Sequence, residues 1–180
     1  QDQGWTMLDA DTYLSPGSLA AARHAVGGVC AAVDAVLAGQ APNAFVAMRP
    51  PGHHAFADLA GGFCFFNNSG IAAQRLLSRG LRPAILDIDV HHGNGTQGMF
   101  YARDDVLTVS IHADPARFYP FFWGHAGERG EGEGQEPAVG GGVFRGHRWI
   151  PVGIPATGLR TGLLHSYVPA RGLRRIVKSD

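Results

Sequence analysis

Asp87-Ile88-Asp89-Val90-His91-His92-Gly93-Asn94-Gly95-Thr96-Gln97 is the stretch on which the fold turns. It follows the apolar run Pro83-Ala84-Ile85-Leu86, and together they read as a buried strand running into a loop. The run is short, β-branched at Ile85 and Ile88, and closed by the turn signal Gly93-Asn94-Gly95. Strand alternation puts Asp87, Asp89 and His91 on one side and Ile88 and Val90 on the other. Open α/β sheets place their sites at the carboxyl ends of strands. Two carboxylates and an imidazole gathered there repel and desolvate one another unless a cation sits among them. An Asp oxygen and a His nitrogen suit zinc, with a third ligand from elsewhere in the chain. Asp and His are also ordinary loop residues, so a capped strand end with its charges in water fits the same letters.

Working outward, Ser18 is an N-cap candidate after the turn Ser15-Pro16-Gly17. Residues 19–37 carry Val26, Val29, Cys30 and Val33 at helical spacing and stop at Gly39. Residues 44–48 read as a short apolar strand ended by Arg49-Pro50-Pro51. Residues 69–77 read as a second helix with a stop at Gly80, and 96–101 as a short third one. Residues 106–111 read as a strand with His112 at its carboxyl end. Strand, loop, helix and strand in alternation predict a parallel α/β sheet.

Arg49-Pro50-Pro51-Gly52-His53-His54-Ala55 is a loop stiffened by two prolines, with Gly52 permitting close backbone approach. Its paired imidazoles are therefore held in place, as acid–base groups must be; surface histidines on a plain proline turn are the bland alternative. Gly61-Gly62-Phe63-Cys64-Phe65-Phe66-Asn67-Asn68 reads as a tight loop lining an apolar slot, or as simple core packing. Phe118-Tyr119-Pro120-Phe121-Phe122-Trp123-Gly124-His125 is rich enough in rings to wall a pocket or sit in an interface. Residues 127–134, with Glu128, Glu131 and Glu133 among glycines, read as a solvated flexible loop or an acidic rim for cationic ligands.

Bulk properties narrow the choices. The 180 residues can bury one core. A net charge of +0 gives no basic footprint for nucleic acid. The apolar runs fall short of a membrane span, and the polar start Gln1-Asp2-Gln3-Gly4-Trp5 has no signal-peptide character. Cys30 and Cys64 lack metal-type spacing and read as reduced and buried, as in a cytoplasmic protein. From about Gln135 the chain turns Gly- and Arg-rich, loses periodicity, and offers no strand or helix to Asp180.

The blocks Arg49-Pro50-Pro51-Gly52-His53-His54, Gly61-Gly62-Phe63-Cys64-Phe65-Phe66-Asn67 and Asp87 through Gln97, in this order and spacing, resemble the zinc-dependent histone deacetylase superfamily. The aromatic and acidic block from Tyr119 to Gly134 looks most like the bacterial acetylpolyamine amidohydrolase branch. The resemblance covers roughly Asp9 to Gly134. It implies an arginase-like α/β fold, a central parallel sheet flanked by helices, here incomplete, with zinc at the bottom of a narrow tunnel. By position it implies Asp89 and His91 as two of three zinc ligands. His54, partnered by Asn94, would be the proton shuttle, and His53, oriented by Asp87, its electrostatic support. A structural potassium ion would take Asp87, Ser110 and Ile111, with backbone at Asp89 and His91; a second monovalent site would use backbone at Phe100 and Val106. Gly62, Phe63 and Tyr119 match the walls around an acetyl-lysine-like stem.

The implied activity is zinc-dependent deacetylation of a small acetylated amine or acetyl-lysine, without nucleic acid or membrane, in a chain able to form a homodimer. The rival readings are a catalytically incomplete deacetylase-fold fragment or binding module, and an amidohydrolase for other acyl groups or esters. The family's third zinc ligand and its transition-state Tyr have no match, since Asp180 and Tyr167 lack the flanking glycines. The chain thus reads as a fragment in two parts. Residues 1–134 form a partial catalytic domain. Residues 135–180 form a tail read out of frame, because the codons for Gln135-Glu136-Pro137-Ala138-Val139, shifted by one base, can encode the family's Asn-Leu-Pro-Leu-type strand.

Overall fold

The computed structural model describes residues 4–125 and 128, and the backbone of 142–145 and 148–151. A short antiparallel pair, β1 (Thr6–Met7) and β2 (Tyr13–Leu14), precedes α1 (Ser18–Leu37). Then come α2 (Asn68–Leu77), β3 (Ala84–Asp87), α3 (Asn94–Phe100), β4 (Leu107–Ser110), β5 (Gly142–Arg145) and β6 (Arg148–Pro151). The larger sheet runs β3-β4-β5-β6. β3 and β4 are parallel in the register Asp87↔Ser110, as the alternation predicts. β5 and β6 add antiparallel, so the sheet is mixed, and two strands stand where the sequence beyond Gln135 offers none. The remainder of 135–180, including Tyr167 and Asp180, lies outside the described residues.

Local chemistry explains the helices. α1 begins after left-handed Gly17, and Ser18 is its first residue, not its cap: the Ser18 hydroxyl instead accepts from Ser15 N–H at 2.9 Å. At the other end Gly39 (φ 71°) turns the chain, so that Gly39 N–H bonds Val36 O and Gln40 N–H bonds Ala35 O, closing the helix's open carbonyls. α2 is capped by Asn67, whose side chain accepts from Gly70 N–H at 2.8 Å. α1 is as long and apolar as a membrane-crossing helix, which the sequence reading does not anticipate. It packs on α2, where Arg75 forks onto Asp34 with Nε at 2.8 Å.

Below the sheet, Ala73, Phe100 and Val106 are buried together with Leu77, Ile85 and Met99 against them. Burying rings and branched chains of this size is worth ~1.5–3 kcal/mol each. This core fixes α3 under the loop that follows β3. Residues 44–48 form no strand. Ala44, Val46 and Met48 line a cavity of about 400 Å³ together with Ile85 and Leu86, and Val46 and Met48 lie against Gly28 of α1. Leu86 is correspondingly exposed instead of buried.

Candidate active site

β3 ends at Asp87, earlier than strand alternation requires, so pleating does not aim the residues that follow. Two side-chain turns do so instead. Asp87 Oδ1 accepts from Asp89 N–H at 3.1 Å, and Asp89 Oδ1 accepts from His91 N–H at 2.7 Å, each carboxylate catching the amide two residues on. Asp89 Oδ1 then lies 3.3 Å from His91 Nδ1. Asp87 does not join them: its Oδ2 accepts from His53 Nδ1–H at 2.8 Å.

The histidine loop is pinned from two sides. A Cβ on Gly52 would lie 2.5 Å from Asn68 N, the close approach the sequence predicts. α3 presses on the other side, with Thr96 N–H bonding His53 O at 3.0 Å. A Cβ on Gly95 would lie 2.5 Å from the carbonyl carbons of both His54 and Ala55. His54 Nδ1 donates to Asn94 Oδ1 at 2.8 Å, which leaves Nε2 as its basic nitrogen. The rings of His53 and His54 are 3.9 Å apart; Tyr119 stands edge-on to His54 at 4.7 Å, and His91 is 6.3 Å from it.

The two imidazoles are driven apart electrostatically. Burial, followed by the neighbouring His53 charge, lowers the His54 pKa to about 4, so its ring is neutral at pH 7. Burial also pulls on His53, but the hydrogen bond and charge of Asp87 outweigh it and raise His53 above its ordinary value. Asp87 is buried too, which opposes ionisation; the His53 hydrogen bond and charge reverse this and hold its carboxyl below the usual range. Two titratable neighbours pushed in opposite directions form an acid–base arrangement.

Gly62 has φ 55°, and a Cβ there would strike His54 Cδ2 at 2.5 Å and Tyr119 Oη at 2.8 Å. Phe63 lines the large cavity with His53, Asp87 and Asp89, whereas Gly62 and Tyr119, its expected companions, do not line it. Ser110 sits opposite Asp87 in register, and Ile111 N–H bonds Asp87 O at 2.9 Å. Phe100 and Val106 are buried together in the core under the sheet. Among the described residues no group of three His, Cys, Asp or Glu side chains could hold a metal ion; Asp89 and His91 form a pair. That pair fits zinc in spacing, since two ligands ~2.0–2.1 Å from a tetrahedral ion stand ~3.3 Å apart.

Several contributors have no signal in the sequence. His92 donates through Nε2 to Gln97, Gln97 Nε2 donates to Glu128 Oε2 at 2.7 Å, and Gly124 N–H reaches the same oxygen at 2.7 Å. His112 Nε2 donates to Gly124 O at 3.1 Å, and Ser110 Oγ donates to His112 Nδ1 at 2.8 Å. Glu128 is therefore a bonded anchor of the aromatic loop and not part of a purely solvated segment; Glu131 and Glu133 lie outside the described residues. Both cysteines are free, Cys64 buried and Cys30 only half-buried.

Residues 1–141 match the histone deacetylase domain model. The chain is 50% identical over 132 residues to the acetylpolyamine amidohydrolase of Mycoplana ramosa, covering 73% of this chain and 38% of that protein. It superposes on the crystal structure of acetylpolyamine aminohydrolase from Burkholderia pseudomallei with TM-score 0.67 and 47% identity, over 79% of this chain and 40% of that one. The HDA15 HD domain gives TM-score 0.69 at 39% identity, over 73% and 38% of the two chains. The chain thus spans well under half the length of these relatives, and the superposition carries its mixed α/β elements onto a deacetylase fold. On sequence and on fold alike, it belongs to the histone deacetylase domain family.

Proposed function

We propose that this chain carries part of a zinc-dependent amidohydrolase that removes acetyl groups from acetylated amines such as acetylpolyamines or acetyl-lysine. The observation that carries the reading is the split between the paired imidazoles, with His54 neutral and His53 bound to Asp87. Zinc held by Asp89 and His91 would polarise the amide carbonyl and activate a water. His54 then takes the water proton at Nε2 and returns it to the leaving amine, its ring held in one tautomer by Asn94. His53, with Asp87 behind it, supplies positive character beside the developing charge. Phe63, Gly62 and Tyr119 exclude water and hold the methylene stem. The same reading assigns a potassium ion to Asp87, Ser110 and Ile111, a second monovalent ion to backbone at Phe100 and Val106, and a cytoplasmic protein able to form a homodimer.

The second reading, a family member without turnover, is favoured by one observation: among the described residues only two zinc ligands come together. Metal analysis with an acetylpolyamine turnover assay separates the two. Stoichiometric zinc and turnover abolished by His54→Ala is the expected result; a soluble, metal-free, inert protein defeats the first reading.

A further inference from the structure

Thr12 is fully buried and lies outside every motif that marks the site. All of its polar groups are committed. Its Oγ1 accepts from Phe63 N–H at 3.0 Å and donates to Asp11 Oδ1 at 3.0 Å. Its own N–H donates to Asp9 Oδ1 at 2.7 Å, and its carbonyl accepts from Leu8 N–H at 2.8 Å. The segment 8–12 is thus folded around one hydroxyl, and that hydroxyl reaches across 51 residues of sequence to a single amide.

Phe63 needs such a hold. Its φ is 65°, immediately after Gly62 at 55°. The left-handed region crowds the Cβ of a side-chain-bearing residue, and nothing in the Phe side chain offsets this through a local hydrogen bond. The turn is closed on its other side by Gly61 and Cys64, which exchange both backbone bonds at 3.1 and 2.9 Å. The Phe63 N–H points out of that turn, to Thr12. Phe63 is 59% exposed and lines the same cavity as His53 and Asp89. Its position is therefore set by its backbone and not by packing around it.

We propose that Thr12 is a positioning residue: by holding the Phe63 amide it fixes the ring that grips the apolar stem of the substrate, and so sets substrate affinity from a segment remote in sequence. The proposal deepens the deacetylase reading and rests on it. Thr12→Val keeps the shape and removes the hydroxyl; Thr12→Ser keeps the hydroxyl. For zinc-loaded protein and a series of N-acetylated diamines, Thr12→Val raises KM about five- to tenfold, the size of one hydrogen bond, with kcat within about twofold, and Thr12→Ser restores KM. Amide hydrogen exchange at Phe63 accelerates in Thr12→Val and not in Thr12→Ser, a readout that needs no turnover. Unchanged KM, unchanged exchange, or equal damage from both variants overturns the proposal. Wild-type protein that binds an acetylated diamine by calorimetry without turning it over sinks the hydrolase reading alone; Kd then replaces KM in judging Thr12. Wild-type protein that neither binds nor reacts overturns both.

Discussion

Adding one methyl group at Gly95 tests how the site is held together. Gly95 lies in α3, where Ala is the better helix former by ~1 kcal/mol, so propensity alone makes Gly95→Ala stabilising. The packing says the opposite. The new Cβ would stand 2.5 Å from the carbonyl carbons of His54 and Ala55, backbone atoms with no rotamer to escape through. Reaching ordinary contact at 3.4 Å requires the histidine loop or α3 to retreat by about 1 Å. Overpacking of this kind costs ~1–3 kcal/mol. Set against the ~1 kcal/mol propensity gain, this leaves a net destabilisation of up to ~2 kcal/mol, read as a lowered urea midpoint at unchanged slope. A 1 Å displacement of His54 relative to the Asp89–His91 pair lowers turnover by about a hundredfold. Gly27→Ala is the control: α1 leaves that Cβ open space, so it gains ~0.5–1 kcal/mol and leaves the site alone. If both substitutions stabilise, or Gly95→Ala leaves turnover intact, the wedge of α3 against the histidine loop does not position the site.

Other consequences are equally measurable. His54 binds its proton near pH 4 when folded and near 6.5 when unfolded, so its contribution to stability is complete above pH 6.5 and is lost as pH falls towards 4. His53, raised on folding, acts in the opposite sense, contributing below 6.5 and losing that contribution as pH rises through its folded value. Urea midpoints in His54→Gln therefore fall less steeply between pH 6.5 and 4.5 than in wild type. Asn94→Asp replaces a neutral acceptor by a charged one at 2.8 Å, raising the His54 pKa by ~1–3 units and moving the acid limb of kcat/KM upward. Gly124→Ala would place a Cβ 2.5 Å from His92 Cγ at a φ of 80°, disrupting the Glu128–Gly124–His112 anchor; it lowers both the melting temperature and the affinity for acetylated amines.

The sequence made the site's membership legible because each key residue sits within a short block. His53 and His54 are held by prolines and Gly52, and Asp89 and His91 are two residues apart, so local geometry alone brings each pair together. The ends of α1 and α2 were visible through the glycines at 39 and 80, but their starts were not: Gly17, not Ser18, precedes α1, and the Asn67 cap of α2 sits in a stretch that reads as a loop. Alternation gave the right pair for the wrong reason: it predicts a continuing strand, whereas carboxylate-to-amide turns aim the residues after Asp87. Residues 44–48 look like a strand because they are apolar, but an apolar run does not by itself make a strand: these residues line a cavity beside α1 instead. Thr12, Gln97 and Glu128 were illegible because each role is completed by a partner tens of residues away, Phe63 for Thr12 and Gln97 and Glu128 for one another. A flexible reading of Glu128 follows from its glycine neighbours; its bond to Gln97, 31 residues away, has no local signal.

The buried thiol of Cys64, its Sγ–H turned to Gly62 O at 3.4 Å and its pKa pushed up to about 12 by burial, is inert to alkylating reagents at neutral pH. Cys30 is only half-buried. Any labelling at position 64 therefore reports an opening of the glycine turn beside the two imidazoles, with the less buried Cys30 as the comparison within the same molecule.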